Sequence, residues 1–454
     1  MANAVSNNKA AVFETMSVPR ALAVMSLPTV ASQVVSIAYN IADTWFIGRT
    51  NNSYMIAASS LVLALYLTLA ALANLFGAGG GNLMARQLGK GDLEAARKTA
   101  SYSIAMSAIA ALGFSLLCLV LMNPMLRFLG ASDNTLGFAR QYTFAAVVLG
   151  GVPTVLSFSM PMIMRNAGYA KEAGIGVALG ALVNIALDPL LMFVVLPDGY
   201  QVLAAGLATM LANVISLAYF IIVYRRIGRS SVLEIPRRVE RLDAESRKSL
   251  YSVGVPAAII LFLFSALGIV LNVLAAGYDD TTLAAVGIVL KVERLPQNTG
   301  LGICLGMVPL VAYNYARGDL CRMDSFFRAS GIALLSVAIL SMVAFWLFAE
   351  AIVGAFLSDS EVIRLGTSFI RARCLSFPFM LVGFQVVNFT QAVDKGKVSF
   401  LLTIIRHLVL SIPMMIALNA LLGIDGLMWS QVVADIINAG VSVLVYLHVR
   451  RGIA

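Results

Sequence analysis

The chain has 454 residues, of which 60% are hydrophobic and 12% charged, with a mean hydropathy of +0.88. A soluble domain is much less apolar and about twice as charged, and single aqueous cores stop growing well below this length, so the composition excludes a water-surrounded globule and makes the bilayer the solvent. The net charge of +9 does not point to nucleic acid, because the Lys and Arg residues form short clusters between apolar runs rather than one stripe.

The first sixteen residues are polar and mixed, and the apolar stretch after them is long and ends in no small-residue cleavage site, so it reads as a retained span rather than a cleaved signal. Twelve apolar runs follow in chain order, at 18–48, 54–79, 95–122, 139–163, 173–196, 202–224, 249–276, 282–311, 328–349, 368–390, 398–420 and 426–448. Each suits a membrane-crossing helix. With the N-terminus inside, the inner segments carry 23 of the 32 Lys and Arg residues, including Lys9, Arg86, Lys90, Arg97, Lys98 and the basic stretch from Arg225 to Lys248. The outer segments carry six, Arg49, Arg127, Arg140, Arg364, Arg371 and Arg373, while Lys291, Arg294 and Arg406 fall within spans. This bias places both termini in the cytoplasm.

The halves repeat. Pro28 pairs with Pro256, Gly91-Asp92 with Gly318-Asp319, Pro153 with Pro378 and Pro189 with Pro413, at a nearly constant offset of 224–228 residues. The expected fold is all-α and integral to the membrane, with twelve transmembrane helices in two pseudo-symmetric six-helix lobes. Residues 1–228 form the N-lobe, 229–248 a cytoplasmic linker and 249–454 the C-lobe. Six spans per half give both lobes one orientation, and such paired repeats enclose a substrate path between them.

Ionisable residues inside spans are costly and mark sites. Asp43 lies in the outer part of span 1 on one face with Tyr39 and Asn40, and Asp188 in the outer half of span 5 on one face with Asn184, followed by Pro189. Thr209 and Asn213 of span 6 fall at similar depth. Two carboxylates among amide, hydroxyl and phenol oxygens suit Na⁺, or a carboxylate pair that carries a proton. The plainer reading, that local hydroxyls satisfy each acid, explains one such residue more readily than two at matched depth. In the second half Lys291, Glu293, Arg294, Arg406 and His407 form a charge cluster, in which Glu293 neutralises one or two cations or the surplus cations bind an anionic part of a substrate. No acid in this half corresponds to Asp43 or Asp188.

Other chemistry is not supported. GAGGGN at 77–82 lacks the Lys-Ser/Thr of a phosphate loop and reads as close helix packing. The scattered Cys118, Cys304, Cys321 and Cys374 and the two histidines, His407 and His448, form no metal or disulfide pattern. No resident cofactor, metal or catalytic constellation is expected, which disfavours an enzyme or an ATP-driven pump.

The segments LPTVASQVVSIAYNIADTWFIG at 27–48, ARQLGKGD at 85–92, RNAGYAKEA at 165–173, NIALDPLL at 184–191 and AGLATMLAN at 205–213 together resemble the multidrug and toxic compound extrusion (MATE) family, most of all its DinF/MepA-like prokaryotic branch. The resemblance covers essentially the whole chain. It implies two lobes in a V, alternating access, and export of drugs or small organic metabolites in exchange for H⁺ or Na⁺. It also implies a cation site of Asp43, Asn184, Asp188 and Thr209, with bending near Pro28. Pro189 is a second candidate hinge. The implied setting is a multi-pass monomer in the cytoplasmic membrane of a bacterium or archaeon, with membrane lipid and an amphipathic small molecule as partners. The basic character of spans 8 and 11 departs from a simple preference for organic cations. It keeps open a second reading, a lipid-linked oligosaccharide flippase of the same wider superfamily.

Overall fold

The computed structural model describes residues 11–50, 52–197, 199–227, 231–233, 241–356 and 359–453, and among them no strand occurs. The N-terminal half contains α1 (Val18–Gly48), α2 (Ser53–Gly89), α3 (Leu93–Val120), the short α4 (Met122–Phe128), α5 (Asp133–Tyr142), α6 (Gly151–Asn166), α7 (Ala170–Leu190) and α8 (Gln201–Ile227). The C-terminal half contains α9 (Ala244–Ala276), α10 (Asp280–Arg317), α11 (Leu320–Gly354), α12 (Ser360–Arg373), α13 (Phe377–Ala392), α14 (Gly396–Ile404) and α15 (Ile412–Arg451). Residues 229–230 and 234–240 of the stretch 229–248, including Arg229, Arg237 and Arg238, lie outside the described residues, as does Lys9.

Local chemistry explains the breaks. The paired Gly-Asp motifs end one helix and start the next. Gly91 and Gly318 take φ of 79° and 83°, a left-handed turn that favours glycine. Asp92 and Asp319 then accept the backbone N–H groups of Ala95 and Arg322 at 2.9 and 3.0 Å, capping α3 and α11. The fourth span is bent by 52° between 133–149 and 151–166. A π-helical stretch, Thr143–Leu149, runs into Gly150, where a Cβ would lie 2.6 Å from the Ala146 carbonyl oxygen, and Pro153 withholds a further N–H. By contrast α1 runs unbroken through Pro28.

The last apolar stretch, 396–451, is helical over 56 residues, far longer than one crossing needs. It doubles back at Gly423, whose backbone is non-helical at φ 61° and ψ −139°. A Cβ on Gly426 would lie 1.9 Å from the Leu418 carbonyl oxygen, a closeness that a continuous helix cannot produce eight residues apart. The stretch is therefore spans 11 and 12 in a tight hairpin, and the chain makes twelve spans in two six-helix lobes.

The lobes meet through the halves of α1, α2, α9 and α10 nearest the basic, terminus-bearing end. The repeat is visible in the seam. A Cβ on Gly79 of α2 would meet Leu250 O at 2.5 Å and Gly254 Cα at 3.0 Å, and one on Gly306 of α10 would meet Ser26 Cα at 2.7 Å. Small residues thus let backbones touch, as in other membrane helix pairs. The glycine run at 77–82 serves this packing, since Gly77 and Gly80 also press against Ser159 and Ser103 within the N-lobe. At the basic end Arg86 bonds Asp394 at 2.9 Å and Ser249 at 2.6 Å, crossing between lobes. The segment before α1 docks on the C-lobe. Phe13 stacks on Tyr313 at 4.8 Å, Glu14 accepts from Tyr313 at 2.5 Å and pairs with Arg317, and Arg322 donates to the carbonyls of Phe13 and Met16.

Candidate functional site

Three helices of the N-lobe bring four oxygen-bearing side chains together. Asn184 and Asp188 are one turn apart on α7, and both are buried, as is Thr209 on α8. The Asn184 amide satisfies both neighbours in one orientation: its NH₂ donates to Asp188 Oδ2 at 2.8 Å, and its oxygen accepts from the Thr209 backbone N–H at 3.1 Å. Asp43 of α1 lies close enough to Asp188 for the two carboxylates to repel. Asp43 Oδ1 and Asp188 Oδ1 are both buried without a hydrogen-bond partner. A carboxylate oxygen left without a partner in hydrocarbon is expensive.

The surroundings are phenolic and hydroxylic. Tyr39, Tyr66 and Tyr142 each lie near enough to Asp43 to interact with it, and Tyr39 and Tyr142 also face Asp188. Tyr142 also faces Thr209, and Tyr66 faces Asn213 and Thr154. Asn213 is held by two bonds to α6, accepting from Ser157 Oγ at 3.0 Å and donating to Thr154 Oγ1 at 2.9 Å. Asn40 is exposed and donates to the Ser36 carbonyl at 2.7 Å, within its own helix. Among the described residues no group of three or more His, Cys, Asp or Glu side chains lies together. The oxygen set around two acids fits a proton or a monovalent cation, with hydroxyl and amide oxygens completing the shell.

Tyr66, Tyr142, Thr154 and Ser157 carried no sequence signal. Each is one polar group in an apolar run, and only the packing of α2, α5 and α6 onto the acids brings it there. Pro189 leaves α7 helical, and a π-helical stretch, Leu191–Val195, follows it. The proline thus loosens the span beside Asp188 without breaking it.

The C-lobe charges pair differently from the sequence expectation. Glu293 does not neutralise Lys291 or Arg294. Its carboxylate is gripped by Arg373 through two bonds of 2.5 and 2.9 Å, with both side chains more than 90% buried. Arg373 therefore belongs to the membrane interior, not to an outer loop. The α12 helix is amphipathic and turns this end inward. Arg406 pairs with Asp435 of α15 at 2.9 Å, and Gln431 donates to the same carboxylate at 3.0 Å. Phe384 and Phe264 flank the Arg406 guanidinium at 5.0 and 6.0 Å. His407 is buried beside Phe264, with Nδ1 3.0 Å from the Thr403 carbonyl. Asp435 is an acid within the apolar run of span 12, so its sequence carries the same signal of cost as Asp43 and Asp188. Lys291 and Arg294 are exposed.

The family model MatE matches this chain twice, at residues 28–190 and 256–416, so both matches begin at the prolines that the repeat pairs. A multidrug export protein MepA of Staphylococcus saprophyticus is 29% identical over 440 residues, covering 96% of this chain and 95% of that protein. A MepA of Staphylococcus aureus is 28% identical over the same length. Among solved structures, a MATE protein in complex with MaL6 superposes with a TM-score of 0.91 at 21% identity, covering 98% of both chains. The outward-facing conformation of a multidrug resistance MATE family transporter gives 0.90 at 21% identity, covering 96% of this chain and 97% of that one.

Proposed function

The chain belongs to the MatE family, and from that membership and the N-lobe geometry we propose that it is a secondary antiporter exporting small amphipathic molecules in exchange for H⁺ or Na⁺. The protein is a multi-pass membrane transporter and not an enzyme. Its MepA relatives are named for multidrug export, which supports drugs or small organic metabolites as cargo. The observation that carries the coupling is the pair Asp43 and Asp188, each with a buried, unpartnered oxygen. The excess of Lys and Arg at the terminus-bearing end supports a cytoplasmic location for that end in a bacterial or archaeal inner membrane. The seam of α1, α2, α9 and α10 then closes the inner side, as expected of an outward-facing state.

The coupling follows from electrostatics. Two ionised carboxylates close together in a poorly screened lobe repel strongly. A cation entering from outside removes that repulsion and lets α1, α7 and α8 pack more closely, with Pro28 and Pro189 as the compliant points. Shrinking the N-lobe face expels the cargo outward. The scheme works only if the cation binds the two conformations with different affinity.

The test is gradient-driven efflux of a dye panel from proteoliposomes under imposed pH and Na⁺ gradients. Asp43→Asn and Asp188→Asn should each abolish transport while the protein stays folded. Full activity in the double variant would refute the assignment.

A further inference from the structure

Two cations of α10 have no role in the coupling scheme; helix geometry turns Lys291 toward α1, and Arg294, three residues on, is its neighbour on the helix surface. Gly302 of α10 is packed against α1, since a Cβ there would lie 2.8 Å from Val30 Cα. At 100° per residue, Leu295 and Lys291 fall within about 20° of the same face, roughly 10 and 16 Å farther toward the outer end. That face is closed at Gly302 yet Leu295 is 45% exposed, and Lys291 is exposed as well. On the opposing helix the face of Val30 continues through Val34 and Ile41, which are 39% and 46% exposed. The seam therefore opens outward into a cleft with one apolar wall on α1 and a cationic one on α10.

α10 packs on α1, α2, α9, α11, α12 and α13. The acid between the two cations is also spent, because Glu293 turns to the other side of α10 and is held bidentately by Arg373. No ion pair to Lys291 or Arg294 occurs among the described residues. An ammonium and a guanidinium left uncompensated deep in a span must be solvated by the cleft or by what enters it.

We propose that the cleft receives amphipathic organic anions, with the apolar body against Val34, Ile41 and Leu295 and a carboxylate or phosphate group on Lys291 and Arg294. This rests on the transporter reading and names its substrate class. The same anionic chemistry is offered by a soluble molecule or by a lipid headgroup.

The test is fluorescence anisotropy of 6-carboxyfluorescein, with ethidium as the cationic comparison, on purified protein in neutral detergent. Wild type should bind 6-carboxyfluorescein. Lys291→Gln with Arg294→Gln should weaken it about tenfold or more, a loss of about 1.4 kcal/mol, without weakening ethidium, and Lys291→Arg should stay near wild type. Both substituted side chains are exposed, and an unchanged thermal transition confirms that the variants fold. Displacement of the dye by phosphatidylglycerol but not phosphatidylcholine would assign the anion site to lipid phosphates. No displacement would assign it to soluble anions. Lack of dye binding by wild type, equal affinity in the double variant, or an equal loss for ethidium would overturn the proposal. Intact dye binding with no gradient-driven efflux would instead refute the antiporter reading and leave the anion site standing.

Discussion

Replacing Arg373 by Met should destabilise the C-lobe severely, because it strands Glu293. The Glu293 side chain is 8% exposed and its two oxygens take bonds of 2.5 and 2.9 Å from Arg373. The Coulomb term for unit charges about 4 Å apart is about 4 kcal/mol at an effective dielectric near 20, and breaking one partner of a buried pair costs about 3–5 kcal/mol. Glu293→Gln should be costly for the mirrored reason, leaving a buried guanidinium. Removing both charges is different, since well-packed neutral replacements of a buried pair are often neutral or stabilising. Glu293→Gln with Arg373→Met should therefore recover most of the loss of either single variant. The assay is thermal unfolding in detergent read by size-exclusion chromatography, with a drop on the order of 5 °C or more expected for each single variant. Additive losses in the double variant would refute the view that these two groups exist to satisfy each other.

The other predictions concern the cycle. Distances between spin labels on α1 and α7 should change with pH or Na⁺ in the wild type and stay fixed in Asp43→Asn; identical wild-type distances under all conditions would exclude cation-driven repacking. Gly254→Val should force the seam apart, since even a Cβ there would lie 2.1 Å from the Leu75 carbonyl oxygen, and label distances between α2 and α9 at the basic end should lengthen. Unchanged distances would mean that the contact adjusts without opening. Glu14→Gln removes the charge that holds Arg317 and weakens the bond from Tyr313, so the segment before α1 should become more accessible to protease while the spans stay folded. Equal protection in the variant would place the hold in Phe13 and Arg322 instead.

Much of the architecture was written in the sequence because the bilayer imposes one rule on every span. A helix in hydrocarbon must be long and apolar, so the composition, the number of spans and the repeat of Pro28 with Pro256 could be read before any fold was known. The acids Asp43 and Asp188 were legible for the same reason, since a carboxylate in an apolar run stands out by its cost. Which groups answer those acids was not legible. Tyr66 and Tyr142 reach them from α2 and α5 only through the packing of the lobe, and Glu293 chooses Arg373, 80 residues away, over the adjacent Arg294. Linear spacing places neighbours along one helix and says nothing of the helix across the interface. The side on which a charge lands is set by the helix's rotation in the bundle, and that rotation left Lys291 on the cleft wall and sealed Arg373 inside.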